Sequence, residues 1–325
     1  MKVLVTGATG FLGGYLLEEM VKSGHAPVCA YRAGSDTKLI DALGLPKVHF
    51  DLTDAASLRE AVKGVDAVVH LAAYYTFTGR KELYELINVQ GTRHLMDACK
   101  KENVRRFIYC SSTEAMGPVS RPPADEDAPL SPQYEYGRSK VRAEELLRAS
   151  GLDWTIIRPS GIYGPRNVDD VSYHFITSFQ GFASKFIIGT GKNYIQFVHA
   201  SDVARAFVLT LDAPVSIGRT YIISQARPYT YEEVYRVLAE IYGRPEPRLR
   251  LGKGLAKALM VPIEGLCTLL GRENFLYRRE TVESVTSDRA YSIDRARKEL
   301  GYEPRYDLPE GMKETVDWYR SHGYL

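Results

Sequence analysis

An α/β chain with an open, doubly wound parallel sheet is the fold class the sequence predicts, and three observations predict it. The opening run Lys2-Val-Leu-Val-Thr6 is short, β-branched and apolar, as a strand buried on both faces should be. Gly7, Gly10 and Gly13 follow without a spacer and lead into a run of helical period. Downstream, short apolar runs alternate with amphipathic ones up to Arg158.

In the first helix Leu12, Leu16, Leu17, Met20 and Val21 share a face, and Gly24 stands where a C-terminal cap would end it. Further strands are expected at Pro27 to Tyr31, Lys47 to Phe50, Ala67 to Leu71, Arg106 to Cys110 and Trp154 to Ile157, with helices near 54–63, 81–101 and 133–149. After Arg158 Gly and Pro cluster at 159–165, and strand character returns only at Phe197-Val198 and Thr220 to Ile223. The chain thus reads as a first domain of residues 1–160 plus 197–225 and a smaller lobe, 161–196 plus 226–325, woven into it. The most apolar stretch, Leu255 to Gly271, carries Lys257, Pro262 and Glu264 and falls short of the ~20 residues of a membrane span. It reads as an amphipathic lid or a pair of packing helices.

Composition narrows the function classes. Across 325 residues, 42 basic and 40 acidic side chains leave a net charge of +2, with no basic stripe, which argues against nucleic acid as a partner. Four scattered cysteines without a C-x-x-C read as buried thiols, and seven scattered histidines without an H-x-x-x-H give no metal site. A first strand beginning at residue 2 leaves no secretion signal ahead of it, so a cytoplasmic protein with no integral membrane segment is expected.

The glycines point to a ligand. Where a strand turns into a helix, unpaired N–H groups and the positive end of the helix dipole face outward, and a pyrophosphate can approach if no Cβ blocks it. The spacing is G-x-x-G-x-x-G, not the more familiar G-x-G-x-x-G. Far downstream Tyr136 and Lys140 are four apart on one helical face, behind the strand that ends in Ser111-Ser112-Thr113. With 22 tyrosines, about one such pair arises by chance, so its placement at the crevice end of the sheet carries the argument.

Several motifs in order carry a family resemblance: TGATGFLG at 6–13, DLTD at 51–54, VVHLAA at 68–73, NVQGT at 88–92, YCSSTEAMG at 109–117, YGRSK at 136–140 and RPSGIYGP at 158–165. The chain resembles an extended short-chain dehydrogenase/reductase of the NAD-dependent epimerase/dehydratase class over essentially its whole length. FIIGTGKNYIQFVHASDVA at 186–204 and AYSIDRARKELGYEPR at 290–305 are most similar to the 3β-hydroxysteroid dehydrogenase-like and dihydroflavonol reductase-like branch.

The resemblance implies a Rossmann-type fold, a nicotinamide cofactor and a small-molecule substrate. It makes Tyr136 the acid/base, Lys140 the cation that stabilises its phenolate and holds the nicotinamide ribose, and Ser112 the donor to the substrate oxygen, with Thr113 as a possible substitute. It places Gly7, Thr9, Gly10, Phe11 and Leu12 at the diphosphate, Asp51 and Leu52 at the adenine, and Leu71, Ala72, Ala73, Asn88 and Pro159 along the cofactor. Arg32, where an acidic residue would select NAD, favours NADP over NAD. Arg158 and His199 are left outside the reaction. Substrate contacts are expected from 160–196, 226–290 and the Tyr74-Tyr75-Thr76-Phe77 loop. A homodimer through the helices at 81–101 and 133–149 is implied as well.

The leading expectation is reversible oxidation of a sterol-like or other alicyclic secondary alcohol. The alternative is a nucleotide-sugar epimerase or dehydratase with the same Ser-Tyr-Lys set, for which Arg278-Arg279-Glu280 is a poor diphosphate signature. A catalytically idle nucleotide sensor would not need the Tyr/Lys pair.

Overall fold

The computed structural model describes residues 1–76, 80–270 and 276–325. Its first half alternates strand and helix: β1 (Lys2–Thr6), α1 (Phe11–Lys22), β2 (Ala26–Tyr31), α2 (Lys38–Ala42), β3 (Lys47–His49), α3 (Ala55–Val62) and β4 (Ala67–His70). Next, α4 (Lys81–Leu83) runs through a π-helical stretch, Tyr84–Gly91, into α5 (Thr92–Lys101), followed by β5 (Arg106–Cys110), α6 (Glu135–Arg148) and β6 (Asp153–Pro159). The second half brings β7 (Gly161–Tyr163), α7 (Val171–Ser178), β8 (Phe186–Ile188), β9 (Tyr194–Ile195), β10 (Phe197–His199), α8 (Ala200–Asp212) and β11 (Arg219–Ile223). The chain ends through β12 (Tyr229–Thr230), α9 (Tyr231–Tyr242), β13 (Leu249–Leu251), α10 (Lys253–Leu269), α11 (Arg279–Val285), α12 (Asp294–Leu300) and α13 (Leu308–Ser321).

Seven strands form one parallel sheet in the order β11-β6-β5-β4-β1-β2-β3. Strand order reverses between β1 and β4, and a crevice opens there at the carboxyl ends. Val3, Leu4 and Val5 are completely buried because helices cover both faces: α1 and α8 on one, α3, α5 and α6 on the other. A third apolar cluster joins Tyr163, Ile176, Phe197, Val234 and Met312, away from the sheet. Tyr291, Ile293, Ala296 and Tyr302 instead pack into the α1/α8 layer.

The first helix ends as its sequence requires: Gly24, at φ +77°, bonds its N–H to Val21 O. The apolar stretch from Leu255 is one helix, α10, which continues through the exposed Pro262; Gly271 falls outside the described residues. Its partner, α11, comes from later in the chain. Among the described residues no helix is long and apolar enough to cross a membrane.

Candidate active site

The three glycines of the first turn do different work. A Cβ on Gly7, at φ +71°, would lie 2.9 Å from Ala72 N, and one on Gly13 would lie 2.2 Å from Gly7 O. Both are therefore required by the protein's own packing. Gly10 is exposed, and a Cβ there would meet only Gly7 O, at 3.3 Å. It is also the N-cap of α1, with no side-chain cap and no acidic residue in the first turn. A bare, uncapped helix N-terminus fits a diphosphate. Thr9, Phe11 and Leu12 flank it half-buried, and Leu71, Ala72 and the exposed Ala73 lie on the other side of the turn, after β4.

At the end of β5 two adjacent serines part. Ser111 points down, donating to the buried Glu144 carboxylate at 2.6 Å, and that carboxylate also takes Arg158 Nε at 2.9 Å and Arg148 at 3.0 Å. Ser112 points up into the crevice, where its Oγ accepts only the Glu114 N–H, at 3.1 Å, among the described residues. Its own proton can therefore go to a ligand. Thr113 is buried.

Helix α6 brings Tyr136 beside Ser112, and Gly137 permits the approach. A Cβ at 137 would lie 2.3 Å from Glu114 O, so any larger residue would push the helix off the turn that holds Ser112. Tyr136 is half-buried, edge-on to Tyr75 with ring centroids 4.7 Å apart. Burial raises its phenol above the ordinary 10. Lys140 is buried, donates to Cys110 O at 2.7 Å and holds its Nζ 5.4 Å from the Tyr136 ring centroid. Burial draws its ammonium down to about 8, against the opposing pull of Cys110 and Glu144. Within the protein alone burial keeps the phenol raised, with the Lys140 ammonium one helical turn away.

Asn88, buried on the π-helical stretch, is a clamp. Its side chain accepts from Tyr74 N at 2.7 Å and donates to Tyr74 O and Ser139 Oγ, each at 3.0 Å. Ser139 Oγ in turn donates to Tyr136 O at 2.7 Å. Asn88 thereby fixes the Tyr74-Tyr75 segment against α6; Phe77 of that loop lies outside the described residues.

Arg32 follows β2, exposed, close enough to Asp51 to help depress that carboxyl. The first cause of that depression is the Thr53 N–H, with the Thr53 hydroxyl second. Leu52 is buried and packs on Gly91. Away from the crevice, Arg158 is locked to Glu144, and His199 bonds Ser201 and stacks on Tyr306 at 3.9 Å. Burial lowers His199 to about 4.

A cavity of about 320 Å³ joins these parts: Phe11, Ser112, Tyr136 and Pro159 line one side and Phe175 and Tyr231 the other. Sequence reasoning missed Glu114 and Arg289 in its wall, where buried Arg289 donates to Glu114 Oε1 at 2.7 Å. Their separation of 175 positions leaves no local signal.

The model of the NAD dependent epimerase/dehydratase family matches residues 3–224. Sterol demethylase protein B of Methylococcus capsulatus is 30% identical over the whole of both chains. The 3beta-hydroxysteroid-dehydrogenase/decarboxylase isoform 1 of Arabidopsis thaliana is 29% identical over 97% of this chain and 78% of its own. Among solved structures, the crystal structure of gox2253 superposes with a TM-score of 0.84 at 31% identity over 99% of each chain. With the dinucleotide turn, the seven-stranded parallel sheet and the match over two thirds of its length, the chain belongs to the NAD-dependent epimerase/dehydratase family, as an extended short-chain dehydrogenase/reductase enzyme.

Proposed function

We propose that the protein interconverts a secondary alcohol on a largely apolar, alicyclic substrate, of the sterol or 3β-hydroxysteroid kind, with its ketone. One observation carries the reading: Ser112 and Tyr136 line the same aromatic-walled cavity as Phe11 of the dinucleotide turn. The names of the two relatives, one a sterol demethylase protein and one a 3beta-hydroxysteroid-dehydrogenase/decarboxylase, support the substrate class.

The nicotinamide nucleotide supplies or accepts the hydride. The residues of the chain do the rest. In the direction of reduction, Ser112 and Tyr136 donate hydrogen bonds to the carbonyl oxygen, sharing the charge that grows there, and the neutral phenol of Tyr136 is already protonated for transfer. In the direction of oxidation Tyr136 receives the hydroxyl proton, and the Lys140 charge favours that step. Replacing Tyr136 with Phe keeps the shape and removes the proton; turnover on a panel of alicyclic alcohols and ketones should fall about 10²- to 10⁴-fold. Undiminished turnover would refute the assignment.

For the nucleotide itself we favour NADP. Arg32 stands where an acidic residue would hold a ribose hydroxyl, and its guanidinium suits a 2′-phosphate. Titration followed by nucleotide fluorescence should show NADPH binding more tightly than NADH, with the preference reversed in Arg32→Asp. An unchanged ratio would leave Arg32 a surface residue. The family description favours a second reading, nucleotide-sugar epimerisation or dehydration. Mass spectrometry of the purified protein separates the two: tightly retained NAD would favour the second, an exchangeable nucleotide the first. A homodimer through α5 and α6 belongs to the same proposal, and light scattering tests it.

A further inference from the structure

Arg289 lines the cavity yet is only 5% exposed, and a buried guanidinium persists where it is paired. Its Nη1 donates to Glu114 Oε1 at 2.7 Å, and its Nη2 reaches Gln133 Oε1 at 3.3 Å. Burial works to lower the guanidinium, but the Glu114 charge, with Tyr291, Tyr134 and Tyr231 after it, holds it above its ordinary value. The positive charge is thus committed to Glu114. That carboxylate is half-buried, and its Oε2 is buried without a hydrogen-bond partner among the described residues. Arg289 is therefore its counter-charge.

Glu114 meets the crevice through three groups. Its N–H donates to Ser112 Oγ, its carbonyl oxygen is the atom against which Gly137 seats α6, and its carboxylate takes Arg289. The turn it belongs to, Thr113–Ala115, is a single 3₁₀ piece closed by Ala115 N–H to Ser112 O at 3.1 Å and Met116 N–H to Thr113 O at 2.9 Å. A piece this short has little stiffness of its own. The segment that carries Arg289 is tied on two sides. Arg289 N–H donates to Tyr194 O of β9 at 2.8 Å, while Asp288 O accepts Val119 N–H at 2.8 Å and Ala290 O accepts Ala124 N–H at 2.9 Å. The guanidinium thus reaches the turn from a fixed support.

We propose that Arg289 is a positioning residue: it holds and neutralises Glu114, and through Glu114 it fixes the Ser112 turn against the helix that carries Tyr136. Its effect on turnover rests on the alcohol–ketone reading; its effect on the turn does not. The test compares the full chain with Arg289→Met and Glu114→Gln/Arg289→Met by hydrogen exchange without substrate, then by kcat and KM on the fastest alcohol of the alicyclic panel. In Arg289→Met, amides 114–117 should exchange at least about tenfold faster while β5 and α1 keep their protection. Its kcat should fall about tenfold or more, with KM and NADPH affinity within about twofold of wild type. The double variant, in which no carboxylate is left without a counter-charge, should recover most of both losses. Should Arg289→Met fold poorly, Arg289→Lys serves, with smaller changes in the same direction. Wild-type exchange at the turn in the single variants, or a double variant no better than Arg289→Met, would overturn the proposal. So would a raised KM with kcat kept, which would make Arg289 a substrate contact. Because exchange is read without substrate, failure here is distinguishable from failure of the catalytic reading.

Discussion

Replacing Lys140 with Met should make the protein's stability depend on pH in a way that reverses sign. Lys140 is 2% exposed, and burial brings its ammonium from an ordinary 10.5 to about 8. At 1.36 kcal/mol per pH unit, that difference opposes folding by about 3 kcal/mol wherever the group is charged in both states. The folded value lies below the unfolded one, so between pH 8 and 10.5 the unfolded chain binds more protons. Wild-type stability therefore gains in that window, and the penalty is fully present below pH 8. Methionine removes the charge at similar length but strands Cys110 O, which loses its 2.7 Å donor at a cost of about 1–3 kcal/mol. At pH 7 the two effects nearly cancel or leave the variant slightly more stable; near pH 10.5 only the loss remains. The wild-type-minus-variant difference should swing by about 3 kcal/mol between these limits. Urea unfolding of both proteins, followed by circular dichroism across the range, measures it, and other titrating groups cancel in the difference. A pH-independent difference would refute the claim that a buried charge is maintained at this position. Turnover should be lost in the variant throughout.

Two further substitutions separate support from chemistry. Ser111→Ala should cost about 1–3 kcal/mol in unfolding free energy, since the buried Glu144 carboxylate loses a donor, and leave turnover nearly intact. Ser112→Ala should do the reverse, lowering kcat about 10²-fold with stability changed by no more than about 1 kcal/mol. Gly137→Ala should lower kcat about tenfold or more through displacement of α6 from the Ser112 turn, visible as lost activity in a protein that still binds nucleotide.

What the sequence revealed and what it concealed follow from the range of the interactions involved. Buried parallel strands announce themselves because each is a continuous apolar run, and β1 through β6 fall within three residues of their expected bounds. The π-helical stretch at Tyr84–Gly91 is hidden, since its bonds differ from α-helical ones by a single residue over two turns. Strands as short as β7 and β8 have no period to detect. Ser111 and Ser112 are chemically identical in the sequence; only the alternation of directions at a strand end sends one to Glu144 and the next to the crevice. Gly137 was visible as part of a motif, yet its reason, a carbonyl 2.3 Å from a would-be Cβ, exists only once residues 114 and 137 meet.

Beneath the crevice the polar groups around His70 are paired without any charge. Thr6 Oγ1 accepts the Ala72 N–H and lies 2.6 Å from His70 Nδ1. Thr92 gives its proton to Asn88 O at 2.7 Å, so His70 Nε2 must be the donor in their 3.0 Å contact. Donor counting thus assigns one neutral tautomer, and burial, with the Lys140 charge second, holds His70 down to about 3. A charge-free chain then runs from β1 through β4 to the π-helical stretch, where Asn88 grips Tyr74 and Ser139. Such a chain costs little as long as every member is paired, and it resists displacement because breaking any link strands a buried group. The dinucleotide turn and the Tyr136 helix are held in register by bonds that do not titrate. On the proposed reading, proton exchange at Tyr136 then proceeds without loosening the frame that aims it.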